Sequence, residues 1–118
     1  MRGDFMTNII VLIEAYLEKV RLYIEKDEYT FERRDMENLT YLGISYKTAL
    51  DIIKNLTYEC YVSGPEPDHL YEEQDIFVFG GLYEEIELYI KLTFRKRDDL
   101  FIMSFHRAKY KMEYPLKK

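Results

Sequence analysis

The side chains with the most chemical reach stand in the last third of this 118-residue chain. Tyr89 and Lys91 occupy alternate positions in one β-rich run, and Ser104 and His106 do so in the next. Only Lys96-Arg97-Asp98-Asp99 separates the two runs, which predicts a hairpin. A two-residue turn at Arg97-Asp98, or a four-residue loop over 96–99, sets Tyr89 opposite His106 and Lys91 opposite Ser104. Direct cross-strand partners lie within about 5.5 Å at Cα, so all four side chains would share one polar face. A three- or five-residue loop would reverse the parity and turn His106 toward the core side.

Such a set suits cleavage of RNA without a metal, in which the 2′-hydroxyl attacks its own phosphate. That reaction needs a group to take the hydroxyl proton, one to protonate the leaving oxygen, and cations for the phosphorane charge. His106 is the only imidazole in the basic region, and imidazole is the side chain best suited to moving a proton near neutral pH. Tyr89 is a partner for hydrogen bonding or proton relay, although a phenol near pKa ~10 is a poor unaided base. Lys91, Arg95, Arg107 and Lys109 are the candidate phosphate holders. The polar face of a sheet also exists without any function, and tyrosine favours strands in any case.

Other candidates carry less. His69 stands among Glu66, Asp68, Glu72, Glu73 and Asp75, but without a metal-ligand spacing this reads as a solvated acidic loop. Cys60 reads as a small core side chain in a strand, and one cysteine forms no internal disulfide. Gly80-Gly81 reads as a turn and not a phosphate loop, since no helix follows. No metal or other cofactor is expected.

Composition narrows the class. The 47% hydrophobic and 16% aromatic content exclude an acidic disordered chain despite the formal charge of −5. The apolar runs are far shorter than the ~20 residues of a membrane span, and no signal-peptide pattern opens the chain, so a cytoplasmic, membrane-free protein is expected. Charge is uneven. Residues 91–118 hold nine basic and three acidic side chains, a net +6, which leaves −11 on 1–90. A localised anion site accounts for that asymmetry, as does a solvated hairpin tip with a frayed lysine-rich tail.

The elements that must position these residues are helices first and strands after. Ile10, Ile13, Leu17, Val20 and Ile24 form one helical stripe. Tyr29-Thr30-Phe31 is a short strand or extended link. Asp35 is a candidate N-cap for a second helix ending at Gly43, and Ser45 caps a third with Ala49, Ile52, Ile53 and Leu56 on one face. From Tyr58 the period is two: strands are expected over 58–62, 76–79, 85–95 and 100–106. Ser63-Gly64-Pro65-Glu66-Pro67-Asp68 reads as a closing turn. The expectation is one α+β domain over 1–118, with a helical part at 5–57, an antiparallel sheet at 58–106 and a basic tail at 107–118.

The order of motifs resembles a known family. Tyr29-Thr-Phe-Glu-Arg-Arg34, Asn38-Leu-Thr-Tyr-Leu-Gly-Ile44, Ile53-Lys-Asn-Leu-Thr57, Tyr61-Val-Ser-Gly-Pro-Glu-Pro-Asp68 and Asp75-Ile-Phe-Val-Phe-Gly80 occur in sequence. Tyr89-Ile-Lys-Leu92, Ser104-Phe-His106 and Tyr114-Pro115 complete the series. Over about residues 10–116 the chain resembles the motility quorum-sensing regulator (MqsR) toxins of type II toxin–antitoxin systems. The resemblance implies a RelE/YoeB-like fold, metal-independent endoribonuclease activity on mRNA (an mRNA interferase) and a neutralising antitoxin partner. It carries the family's active-site tyrosine onto Tyr89 and the following lysine onto Lys91, and places His106 where the family has a catalytic lysine. Two positions depart: Ser63 stands for a lysine and Val78 for a glutamine.

Three functional readings follow. The first is an RNA-cleaving toxin with His106 as general acid or base, acting on delivered substrate such as mRNA held on a ribosome. The second is a non-catalytic protein-binding module docking an acidic partner. The third is nucleic-acid binding without cleavage, with exposed tyrosines as stacking platforms beside Lys and Arg.

Overall fold

The structure, a computed structural model, describes residues 2–67 and 75–118. Its elements run α1 (Arg2–Glu25), β1 (Tyr29–Phe31), α2 (Arg33–Leu42), α3 (Tyr46–Lys54), a 3₁₀ turn (Tyr58–Cys60), β2 (Tyr61–Pro67), β3 (Asp75–Tyr83), β4 (Ile86–Arg95) and β5 (Asp99–Arg107). The five strands form one sheet in the order β1-β5-β4-β3-β2. The α+β class holds, but the sheet is mixed rather than antiparallel. β1 comes from within the helical half and pairs parallel with β5.

The stripe on α1 is buried as its spacing predicts, with Ile13, Leu17 and Val20 fully enclosed. It meets Leu88, Ile90 and Leu92 of β4 and Leu100, Ile102 and Phe105 of β5 in one core. Burying each side chain of this size contributes about 1.5–3 kcal/mol. α3 packs on α1 and β3, while α2 lies against β5. Among the described residues, no helix is long and apolar enough to cross a membrane.

Several local readings change. Glu32, not Asp35, caps α2, its carboxylate accepting from the Arg34 N–H at 2.6 Å. Asp35 is instead buried in the first turn. Gly43 does end α2 at φ +70°, and Ser45 Oγ accepts from the Thr48 N–H at 3.1 Å. Tyr58–Cys60 is a 3₁₀ turn; of the stretch expected to be a closing turn, Ser63 to Pro67 belong to strand β2, which is bulged and has a cis Gly64-Pro65 bond, while Asp68 lies outside the described residues. Cys60 sits half-buried in that turn, against the core rather than in a strand.

Gly80-Gly81 lies inside β3, not at a turn. Gly80 is required for a different reason: a Cβ there would overlap the Tyr114 ring. The C-terminal segment is therefore no frayed tail. It folds back over the sheet, Tyr114 Oη donating to Glu87 at 2.7 Å, the Met112 N–H donating to the same carboxylate at 3.2 Å, and Leu116 buried. Arg107, placed in the tail by its charge, is the last residue of β5.

Gly80→Ala is expected to push Tyr114 off the sheet, lowering stability by about 1–3 kcal/mol. Trypsin should then cut faster at Lys109 and Lys111 than in the native protein. An unchanged unfolding midpoint with an unchanged digestion rate would show that the segment does not rest on Gly80.

Candidate active site

The β4–β5 hairpin reaches the expected pairing by an unexpected route. Its loop is three residues, Lys96-Arg97-Asp98, closed by the Arg95↔Asp99 pair. Asp98 takes the left-handed conformation at φ +64°, which Asp tolerates better than most residues. With that parity alone, His106 would point into the core. A bulge corrects it: Leu92 pairs with Ile102 but Lys91 pairs with Ser104, leaving Met103 as the extra residue. Beyond the bulge, Tyr89 faces His106 and Lys91 faces Ser104, while Phe105 enters the core.

The bulge lies where β5 loses its outer neighbour. β1 ends opposite Ile102, whose carbonyl accepts the Glu32 N–H at 2.9 Å, and the chain turns into α2. Past β1, the outward-facing Phe105 N–H is taken by Asp35 Oδ1 at 3.0 Å, in a buried hydrogen bond. Asp35 is 1% exposed, and its Oδ2 has no protein partner. Burial raises its pKa to about 7, against the opposing pull of the Phe105 N–H.

On the face away from the core, register aligns Ser63, Val78, Lys91 and Ser104 across four strands. Gly80, Tyr89 and His106 form the adjoining row. The Tyr89 and His106 rings stack at 5.0 Å between centroids and 11° between planes. His106 Nδ1 lies 2.8 Å from the Arg107 carbonyl oxygen. A carbonyl only accepts, so Nδ1 carries the proton and Nε2 of the neutral ring is an acceptor. Burial, with the Glu66 charge behind it, pushes the Tyr89 phenol above its ordinary value. Tyr89 is thus a protonated donor and not a base at neutral pH.

His106 is half-buried where two clefts meet. One, of ≈730 Å³, opens between α2 and the end of β5 and is lined by Arg34, Arg107 and Lys109 among others. The other, of ≈480 Å³, lies under the C-terminal segment and includes Tyr89, Ser104, Lys109 and Tyr110. Arg95 is not brought to this place. It lies about 13 Å along the strand from Lys91, its guanidinium Nε donating to Asp99 at 2.7 Å and its plane over Phe101 at 4.2 Å. Asp99 consequently ionises well below the usual carboxylate range, chiefly through that hydrogen bond.

Arg34 and Glu66 are site residues that sequence spacing does not reveal. α2 packing brings the first, and the bulged edge strand brings the second, where Ser63 Oγ donates to it at 3.1 Å. His69 lies outside the described residues. Among the described residues no cluster of His, Cys, Asp and Glu could hold a metal. Compared with family models, curated proteins and solved structures, the chain gives no match.

The raised Asp35 pKa has a defined sign. Between the ordinary value of 3.8 and about 7 the folded protein holds more protons than the unfolded chain. Stability therefore falls as pH rises through that window, and the contribution is gone above it. Asp35→Asn keeps an acceptor for Phe105 and removes this slope. Urea unfolding over about pH 4–8 checks it. Equal pH slopes in the two proteins would show a normally ionising carboxyl.

Proposed function

We propose that the protein is a metal-independent endoribonuclease that cleaves mRNA, the toxin of a type II toxin–antitoxin pair with a RelE/YoeB-like fold. The observation that carries the reading is the Tyr89–His106 stack, with Nε2 as acceptor, on a face shared with Lys91. It supplies an acceptor, a donor and a cation on one face of two paired strands, which is the set this chemistry needs. The motif order adds the choice of substrate.

In this mechanism His106 Nε2 takes the proton of the 2′-hydroxyl, and the freed oxygen attacks phosphorus. The bond from phosphorus to the 5′-oxygen breaks, and Tyr89 gives the leaving oxygen its proton. Lys91 holds the phosphorane charge, with Arg107 and Lys109 as further cations. Products are a 2′,3′-cyclic phosphate and a 5′-hydroxyl. Arg95 has no part in it. The partners are mRNA and a neutralising antitoxin, in the cytoplasm. A body carrying −11 over 1–90 repels RNA except at this patch, which favours substrate delivered on a ribosome.

Val78 favours a second reading. It is 2% exposed and apolar in the middle of the Ser63–Ser104 row, and it contributes no polar group to a reaction there. A non-catalytic module docking an acidic partner accommodates it.

Induced expression in a host lacking any cognate antitoxin, at matched protein levels and with mapping of RNA ends, separates these readings. Wild type is expected to arrest growth and leave cyclic-phosphate ends, and His106→Ala to lower cleavage about 10²–10⁴-fold. Tyr89→Phe lowers it by less, since the stack survives. Cleavage untouched by His106→Ala would move the site elsewhere. A folded wild type that makes no new ends would leave the docking module.

A further inference from the structure

The most exposed large apolar side chains among the described residues are Tyr41 and Tyr110, both 85% accessible. Each lines one of the two clefts that meet at His106: Tyr41 the one between α2 and β5, Tyr110 the one under the C-terminal segment. Each also has cations beside it, Arg34 and Arg107 in the first cleft, Lys111 in the second, with Lys109 common to both. Two acids line the first cleft. Glu32 is turned onto the Arg34 N–H of its own helix, and Asp35 onto the Phe105 N–H. With Asp35 buried, the three cations Arg34, Arg107 and Lys109 outnumber the one partly exposed carboxylate, Glu32, in that cleft.

An exposed aromatic ring beside a guanidinium or ammonium is the arrangement that holds unpaired bases. Every base has a π-face, and each stacked base contributes about 1–3 kcal/mol. We propose that the two clefts form one track for single-stranded RNA, with a base stacked on Tyr41, another on Tyr110, and the intervening phosphate at His106. Arg34 and Arg107 neutralise the phosphate on the Tyr41 side, and Lys111 the one on the Tyr110 side. A duplex cannot use the track, because its bases are stacked on one another. The inference rests on the ribonuclease reading for the phosphate between the platforms, while binding to the platforms themselves is independent of cleavage.

The test is binding of a labelled, mixed-sequence 2′-O-methyl RNA of about ten nucleotides, within the usual range of single-strand sites. It lacks the attacking hydroxyl and is not cut, so binding is read apart from chemistry. Wild type should bind it in preference to the same sequence as a duplex. Tyr41→Ala and Tyr110→Ala should each weaken binding about tenfold. Arg34→Gln should flatten the dependence of log affinity on log salt by about 0.7, and Lys47→Gln, at an exposed position of α3 outside both clefts, should leave affinity unchanged. Circular dichroism confirms that each variant is folded. No binding by wild type, equal binding of duplex, or full affinity in both tyrosine variants overturns the track. Cleavage of RNA with no effect of either tyrosine would keep the nuclease and discard the track; binding without cleavage would do the reverse.

Discussion

A buried hydrogen bond from the Phe105 N–H to Asp35 ties α2 to the strand that carries His106, past the point where β1 ends. β5 needs a partner on its outer edge, and β1 supplies one only as far as Ile102. Past that point a backbone donor would face the flank of α2 unpaired, at a cost of about 1–3 kcal/mol. Asp35 takes the place of the missing strand. Its carboxyl lets the chain bulge at Met103 and still leave Phe105 in the core, so that Ser104 and His106 face outward. The site therefore depends on a helix that contributes no catalytic group.

The same face is defined from its other side by the C-terminal segment. Glu87 accepts from both Tyr114 and the Met112 backbone, and the ring of Tyr114 fills the space that Gly80 leaves without a side chain. The part of the polar face at Gly80 is thus roofed, and Tyr89, Ser104 and His106 line the cleft left under residues 108–112. Partial burial also explains the Tyr89 phenol. Loss of water and the nearby Glu66 charge both favour its neutral form. A tyrosine that keeps its proton and a histidine whose Nε2 accepts one make complementary partners.

Charge is divided by the same architecture. Arg95 and Arg97 are basic in the sequence but serve the hairpin turn, where Asp99 accepts from both and from Thr30 at 2.9 Å. Tyr23 holds the adjacent Asp98. The +6 of the last 28 residues therefore overstates the cations available to a ligand. Arg107, Lys109 and Lys111 remain at the clefts, joined by Arg34 from the acidic part of the chain.

Periodicity alone determined the elements that depend on local spacing: the buried stripe of α1, the ends of α2 and α3 at Gly43 and Ser45, and the inward set Leu88, Ile90 and Leu92. It also named Tyr89, Lys91 and His106 as a cluster. What it could not determine was set by contacts between distant parts of the chain. A three-residue loop and a bulge each reverse the parity of β5, and Phe105, just past the bulge, is held by Asp35, 70 positions away. Gly80 looks like a turn until Tyr114 is laid over it. The parallel pairing of β1, the withdrawal of Arg95 and the arrival of Arg34 follow from packing of the same kind. Short-range preferences decide which residues share a face of one element, whereas which elements meet is decided by burial and by the pairing of buried polar groups, and those are satisfied only in the folded whole.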